Sequence, residues 1–219
     1  MHKRPSLQEA KAILLQHSPD TIKEYEQMKT YKRKYLVAKT INFCGDSFCA
    51  NTNQHSWPVK LAEILDYKIL GLGTNGTSHE TAIKQFDSKA DVTVFCWTES
   101  TRIYFNNLPL CRSTVAKNKD TSAVYNAAHQ FFEHLLDVDY QRERQIRDLC
   151  WFDRTKLTQY KGLAIHLWCY EKTYDFITGH TVEGLLFNLS KVSSLHTLLN
   201  HMPEKTNTLL ANKLYKLIR

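Results

Sequence analysis

KTINFCGDS, residues 39–47, is an apolar run that stops abruptly at Gly45-Asp46-Ser47. Such a run reads as a short strand feeding a turn, with the serine delivered just past the strand's carboxyl end. Downstream, Ser56-Trp57-Pro58 opens a helix. Ser56 is placed to cap it and Pro58 suits the first turn. Val59, Leu61, Ala62 and Leu65 give that helix one apolar face. YKILGLGTNG (67–76) is a second strand ending in a glycine-rich loop, and HETAIKQF a short helix. ADVTVFCWT (90–98) is a third strand, continuously apolar at its centre, as a sheet covered on both faces requires.

Two helical segments follow, 122–137 and about 139–157, the second with Ile146, Leu149, Cys150 and Leu157 on one stripe. KGLAIHLWCY (161–170) is a fourth strand, and EGLLFNLS (183–190) is read as a fifth. The C-terminal EKTNTLLANKLYKLIR is a helix with Leu209, Leu210, Lys213, Leu214 and Leu217 aligned. Upstream of the first strand, residues 1–38 read as a helical N-terminal extension, carried by the amphipathic LQEAKAILLQH and a cap at Ser18-Pro19-Asp20. The expected architecture is therefore an α/β, three-layer α/β/α sandwich over 39–219, with a mainly parallel sheet and right-handed crossovers.

Composition bounds the function. Of 219 residues, 42% are hydrophobic and 23% charged, as in an ordinary globular domain. No apolar run approaches a membrane span, and the AILL cluster is too short for a secretory signal core. The net charge of +7 fits either an anionic partner or simple solubility. The chain carries no nucleic-acid recognition module. Six cysteines, Cys44, Cys49, Cys96, Cys111, Cys150 and Cys169, form no CxxC pair and several sit in apolar runs. They read as free buried thiols, which with the absent signal points to a reducing, cytoplasmic compartment. No ligand spacing fits zinc, and no cofactor is implied.

Working residues of a parallel sheet gather at the strands' carboxyl ends. Three candidates stand there: Gly45-Asp46-Ser47, the loop Gly71–Gly76, and Trp97-Thr98-Glu99. A serine at such a turn has an exposed hydroxyl near free backbone N–H groups, which stabilise an oxyanion. The glycine loop lacks the Gly-Lys-Ser/Thr of a phosphate loop, so it reads as backbone brought close to a substrate oxygen. His201 precedes the last helix and is placed to take the serine proton. His196 ranks behind it. Trp57, Trp97, Trp151 and Trp168 read first as core packing, with Trp97 also expected at the mouth of the site as a stacking surface.

FCGDSF, GLGTNGTSHETAI and HMPEKTNTLLANKL, in this order, resemble the sequence blocks of the SGNH/GDSL-like serine hydrolases. SWPVKLAEIL followed by KILGLGTNG is similar to bacteriophage members of that family. The resemblance implies a flavodoxin-like hydrolase fold, with Ser47 as nucleophile and His201 as base. It puts the backbone N–H groups of Ser47 and Gly76 in the oxyanion hole. Ester substrates are implied, including O-acetyl groups on carbohydrate, and a virion-associated setting for a phage member.

Two positions depart from the family pattern. Glu99 falls where an oxyanion-donating asparagine is expected, and an ionised carboxylate cannot donate. Either Glu99 is protonated or it turns away toward Arg102, with Thr98 supplying the hydroxyl. Leu198 falls where the triad aspartate is expected, leaving a Ser–His dyad that Asn200 or a carbonyl would orient. Asp46 reads as shaping the turn, and Asp46, Trp97, Thr98, Glu99 and Arg102 are expected to line the site. The rival readings are a degraded, non-catalytic module on the same fold and an anion-binding protein.

Overall fold

The computed structural model describes residues 38–106, 108, 110–117, 122–190 and 201–219. The expected N-terminal extension, together with His196, Leu198 and Asn200, lies outside the described residues. Residues 39–219 form one unit.

The five strands are β1 (Thr40–Gly45), β2 (Lys68–Gly71), β3 (Val92–Trp97), β4 (Leu163–Trp168) and β5 (His180–Leu185). They form one sheet in the order β2-β1-β3-β4-β5, every pair parallel. The main helices are α1 (Trp57–Leu65), α2 (His79–Gln85), α3 (Arg112–Lys117), α4 (Ala123–Gln130), α5 (Val138–Thr155), α6 (Leu186–Ser190) and α7 (Glu204–Ile218).

Alternating strand residues feed two cores. Phe43, Val94, Cys96, Ile165 and Leu167 pack with Trp57 and Leu61 of α1 and Leu210, Ala211 and Leu214 of α7. Cys44, Phe95, Trp97, Ala164 and Trp168 pack with Ala82 of α2 and Leu149 and Phe152 of α5. Because successive strand residues point to opposite faces, the sheet is covered on both sides. This arrangement is compatible with three layers. Among the described residues no helix is long and apolar enough to cross a membrane.

Several local expectations shift. The fifth strand ends at Leu185, and Leu186–Ser190 turns helical. The helix expected over 122–137 gives way at Phe131–Leu135 to a wider π turn. The buried stripe of α5 runs through Gln141, Gln145, Leu149, Phe152 and Asp153, not Ile146 and Cys150. In α7 the buried residues are Asn207, Leu210, Ala211 and Leu214, leaving Leu209 and Leu217 outside. Trp151 is exposed. Ser56 does stand at the N-cap of α1, but its hydroxyl donates to the Asn51 carbonyl and caps nothing.

His166 in β4 is fully buried. The indole Nε1–H of Trp97 can only donate, so His166 Nδ1 accepts it (3.1 Å). His166 Nε2–H then donates to the Thr178 carbonyl (2.9 Å). The ring is thereby held neutral, since a second proton would set N–H against N–H. Burial pushes its pKa down to about 4, against about 6.5 in an unfolded chain. Between those two values the unfolded chain binds a proton that the native state refuses, so stability falls as pH drops through this window. The expected loss is about 3 kcal/mol from pH 7 to pH 4. Urea midpoints across that range should fall more steeply for the native protein than for His166→Gln; parallel slopes would exclude His166 as the cause.

Candidate active site

Ser47 Oγ lies 2.7 Å from His201 Nε2, two side chains 154 residues apart in the chain. Each is set by buried neighbours. Asp46 and Phe48, on either side of Ser47, are buried, so the half-buried serine stands on an anchored turn. The Asp46 carboxylate accepts the Phe48 N–H (3.0 Å), and the Asp46 carbonyl accepts the Cys49 N–H (3.1 Å), which closes the turn. On the other side, Met202 is fully buried and pins the residue after His201. Buried Asn207 donates through Nδ2 to the carbonyls of Met202 (3.0 Å) and Pro203 (3.1 Å), while its Oδ1 accepts the Trp57 N–H (2.9 Å). One amide thus ties the histidine turn to the start of α1. His201 itself has φ of +61°, a left-handed conformation that histidine adopts more readily than most residues. The Phe48 ring packs 4.9 Å from the imidazole.

The glycine loop lies directly on the serine turn. Gly73 N–H donates to the Cys49 carbonyl (3.1 Å), and Thr74 N–H to the Gly45 carbonyl (2.9 Å). A side chain at Gly73 would meet the Asp46 carbonyl and the Cys49 sulfur, each at 2.6 Å, so the approach requires glycine. Gln85 braces both segments: its Oε1 accepts Gly45 N–H (2.7 Å) and its Nε2 donates to Thr74 Oγ1 (2.9 Å). Gly76 sits further along this loop with φ of +70°.

Asp46 is fully buried and its carboxylate is crowded with donors. Besides the Phe48 N–H, it accepts Thr98 Oγ1–H (3.0 Å) and the Cys169 thiol (3.6 Å), and it pairs with Arg102 Nη1 (3.0 Å). Arg102 is only 4% exposed. Its Nε donates to Glu99 Oε1 (3.1 Å), Nη1 also to the Thr77 carbonyl (3.3 Å), and Nη2 to the Tyr170 hydroxyl (3.3 Å). Burial works against the cation, but Asp46 and then Glu99 outweigh it and hold its pKa above the ordinary value. Glu99 is accordingly turned toward Arg102.

Three sequence expectations are corrected here. Thr98 is buried and its hydroxyl proton is committed to Asp46, so it does not serve as an oxyanion donor. Arg102 is buried, with its guanidinium taken up by Asp46, Glu99, Thr77 and Tyr170, so it is not exposed to line a site. Trp97 is not at the mouth: it is fully buried and stacked between Phe95 (4.8 Å) and Phe176 (5.3 Å). A continuous apolar strand drives its side chain into the second core. The aromatic contacts beside Phe48 come instead from Tyr170 (5.6 Å), which in turn meets Phe187 (5.4 Å). Among the described residues no carboxylate lies within ion-pair distance of His201. Ser47 donating to Nε2 requires the proton on Nδ1.

One further group brings metal-ligating atoms together: His79, Glu80 and Asp148, within 4.8 Å of one another. The fully buried imidazole places Nε2 at 3.0 Å from Asp148 and Nδ1 at 3.3 Å from Glu80. Arg144 pairs with the other Glu80 oxygen at 3.1 Å. The bond from His79 holds the Asp148 pKa below its ordinary value. The two carboxylates meet different nitrogens of the ring, and Arg144 already holds Glu80, so these contacts are taken up among the side chains themselves. Gln85, His79, Asn207 and Tyr170 were not marked by the sequence pattern; each acts through a contact distant in the chain. No family model, curated protein or solved structure matches this chain.

Proposed function

We propose that this chain is a serine esterase of SGNH type acting on small acyl esters, O-acetyl groups on carbohydrate among them. The single observation carrying this reading is the 2.7 Å contact between Ser47 Oγ and His201 Nε2 at the carboxyl edge of a parallel sheet. The strand order 2-1-3-4-5 is that of flavodoxin-like doubly wound folds, whose ligands bind at the switch point between β1 and β3. Ser47 follows β1 and Glu99 follows β3, so the proposed site stands at that crevice.

In the proposed reaction Ser47 Oγ attacks the ester carbonyl carbon while His201 Nε2 takes its proton. The N–H groups of Ser47 and Gly76 hold the oxyanion. His201 returns the proton to the leaving alcohol as the C–O bond breaks. Water, deprotonated by the same nitrogen, then attacks the acyl-enzyme and releases the carboxylic acid and Ser47. No cofactor enters any step.

A second reading, a non-catalytic module on this fold, is favoured by one observation. Glu99 is turned to Arg102 and the Thr98 hydroxyl to Asp46, leaving no side-chain oxyanion donor from the Trp97-Thr98-Glu99 strand end. Loss of one such donor costs about 100- to 1000-fold in rate. Fluorophosphonate labelling separates the two readings. The esterase reading expects one adduct, mapped to Ser47 and absent from Ser47→Ala. A folded native protein that takes no adduct supports the binding module instead.

A further inference from the structure

We infer that Arg102 is the positioning residue of this active site, setting the serine turn and the oxyanion loop in register from below. The inference rests on the esterase reading of Ser47 and His201. One guanidinium touches the segments after four strands: Asp46 after β1, Thr77 after β2, Glu99 after β3 and Tyr170 after β4. Its own main chain is held too, for the Arg102 carbonyl accepts from Arg144 Nη2 (3.4 Å). Asp46 and Thr77 are the residues next to Ser47 and Gly76, whose N–H groups form the proposed oxyanion hole. Each end of Arg102 therefore holds a residue adjacent to one that supplies a proposed oxyanion donor.

Charge and shape both matter in this role. Fully buried Asp46 requires a counter-ion, because an unpaired buried carboxylate is strongly destabilising. A lysine would meet that need alone. It is a point charge on a flexible stem, however, and cannot offer separate donors in a fixed plane to Asp46, Thr77, Glu99 and Tyr170. Glu99 then has a function of its own. It stands where the family resemblance expects an oxyanion donor, and it orients the Nε edge of Arg102 instead. Positioning through the buried fork takes the place of direct donation.

The test uses the full-length native protein, Arg102→Lys, Arg102→Met, and the double variant Asp46→Asn/Arg102→Met. Fluorophosphonate acylation of Ser47 is resolved into reversible binding and the first-order chemical step, alongside thermal unfolding. A misplacement of about 1 Å costs on the order of 100-fold in rate. Arg102→Lys is expected to lose about that factor in the chemical step with binding unchanged. The double variant, in which no buried charge is left unpaired, should recover thermal stability over Arg102→Met while its chemical step stays slow. Should Arg102→Met fail to fold, Arg102→Lys and the double variant decide. A double variant or Arg102→Lys that acylates at the native rate makes Arg102 a counter-ion only and overturns the inference while leaving the esterase reading intact. A native protein that takes no label on Ser47 overturns both.

Discussion

On the esterase reading, His201→Asn is expected to slow acylation of Ser47 by about 10⁶-fold, the loss a serine hydrolase shows when its base is removed. Asparagine is the informative replacement. His201 occupies a left-handed backbone conformation at φ +61°, and asparagine tolerates that region nearly as well as histidine. The turn, anchored by buried Met202 and Asn207, is thereby preserved while the base is lost. Hydrolysis of p-nitrophenyl acetate, with thermal unfolding to verify the fold, measures the effect. A serine hydroxyl is a weak nucleophile at neutral pH without a base. If His201→Asn kept the native rate, the 2.7 Å contact would be structural and the esterase mechanism would fail.

Trp97→Ala is expected to destabilise the protein by about 3–5 kcal/mol, the usual cost of removing a fully buried large aromatic ring. Three things are lost together. The indole stacks on Phe95 and Phe176 in the second core. Its Nε1–H is the donor to His166 Nδ1, which would be left buried without it. The cavity cannot collapse easily, because Phe152 and Trp168 also lean on the ring at 6.2 and 6.5 Å. For a chain of this size such a loss corresponds to about 6–20 °C in Tm. Calorimetry checks it. A Tm within about 2 °C of native, less than 1 kcal/mol for a chain of this size, would mean that Trp97 is not part of the packed core.

Hydrophobic pattern was enough to place the central strands, because a parallel sheet covered on both faces demands continuous apolar runs; the edge strand β5, HTVEGL, has no such run, and the apolar EGLLFNLS drew the expectation three residues too far along. ADVTVFCWT and KGLAIHLWCY satisfy that demand at β3 and β4, which span Val92–Trp97 and Leu163–Trp168. Helix faces were less legible. The buried side of α5 carries Gln141, Gln145 and Asp153, whereas of the expected apolar stripe Leu149 and Leu157 are buried and Ile146 and Cys150 only half-buried. Those polar residues are buried because each meets a distant partner. Gln145 Nε2, for example, donates to the Thr98 carbonyl (2.9 Å). No periodicity in the chain records such a partner.

The same division holds at the candidate site. Ser47 and His201 stand out in sequence, the one past an apolar strand and the other before the last helix. Their local positions follow from strand and helix signals of a few residues each. The sequence by itself therefore determined the α/β alternation, the strand ends where chemistry collects, and the two residues worth pairing. The tertiary structure alone decided what surrounds them: that Arg102 and Asp46 are buried together, that the Thr98 hydroxyl is given to Asp46, and that one guanidinium gathers Asp46, Thr77, Glu99 and Tyr170. The physical reason is that propensity and periodicity act over neighbouring residues. Burial of a charge, by contrast, is tolerated only where a partner from another strand end arrives to neutralise it.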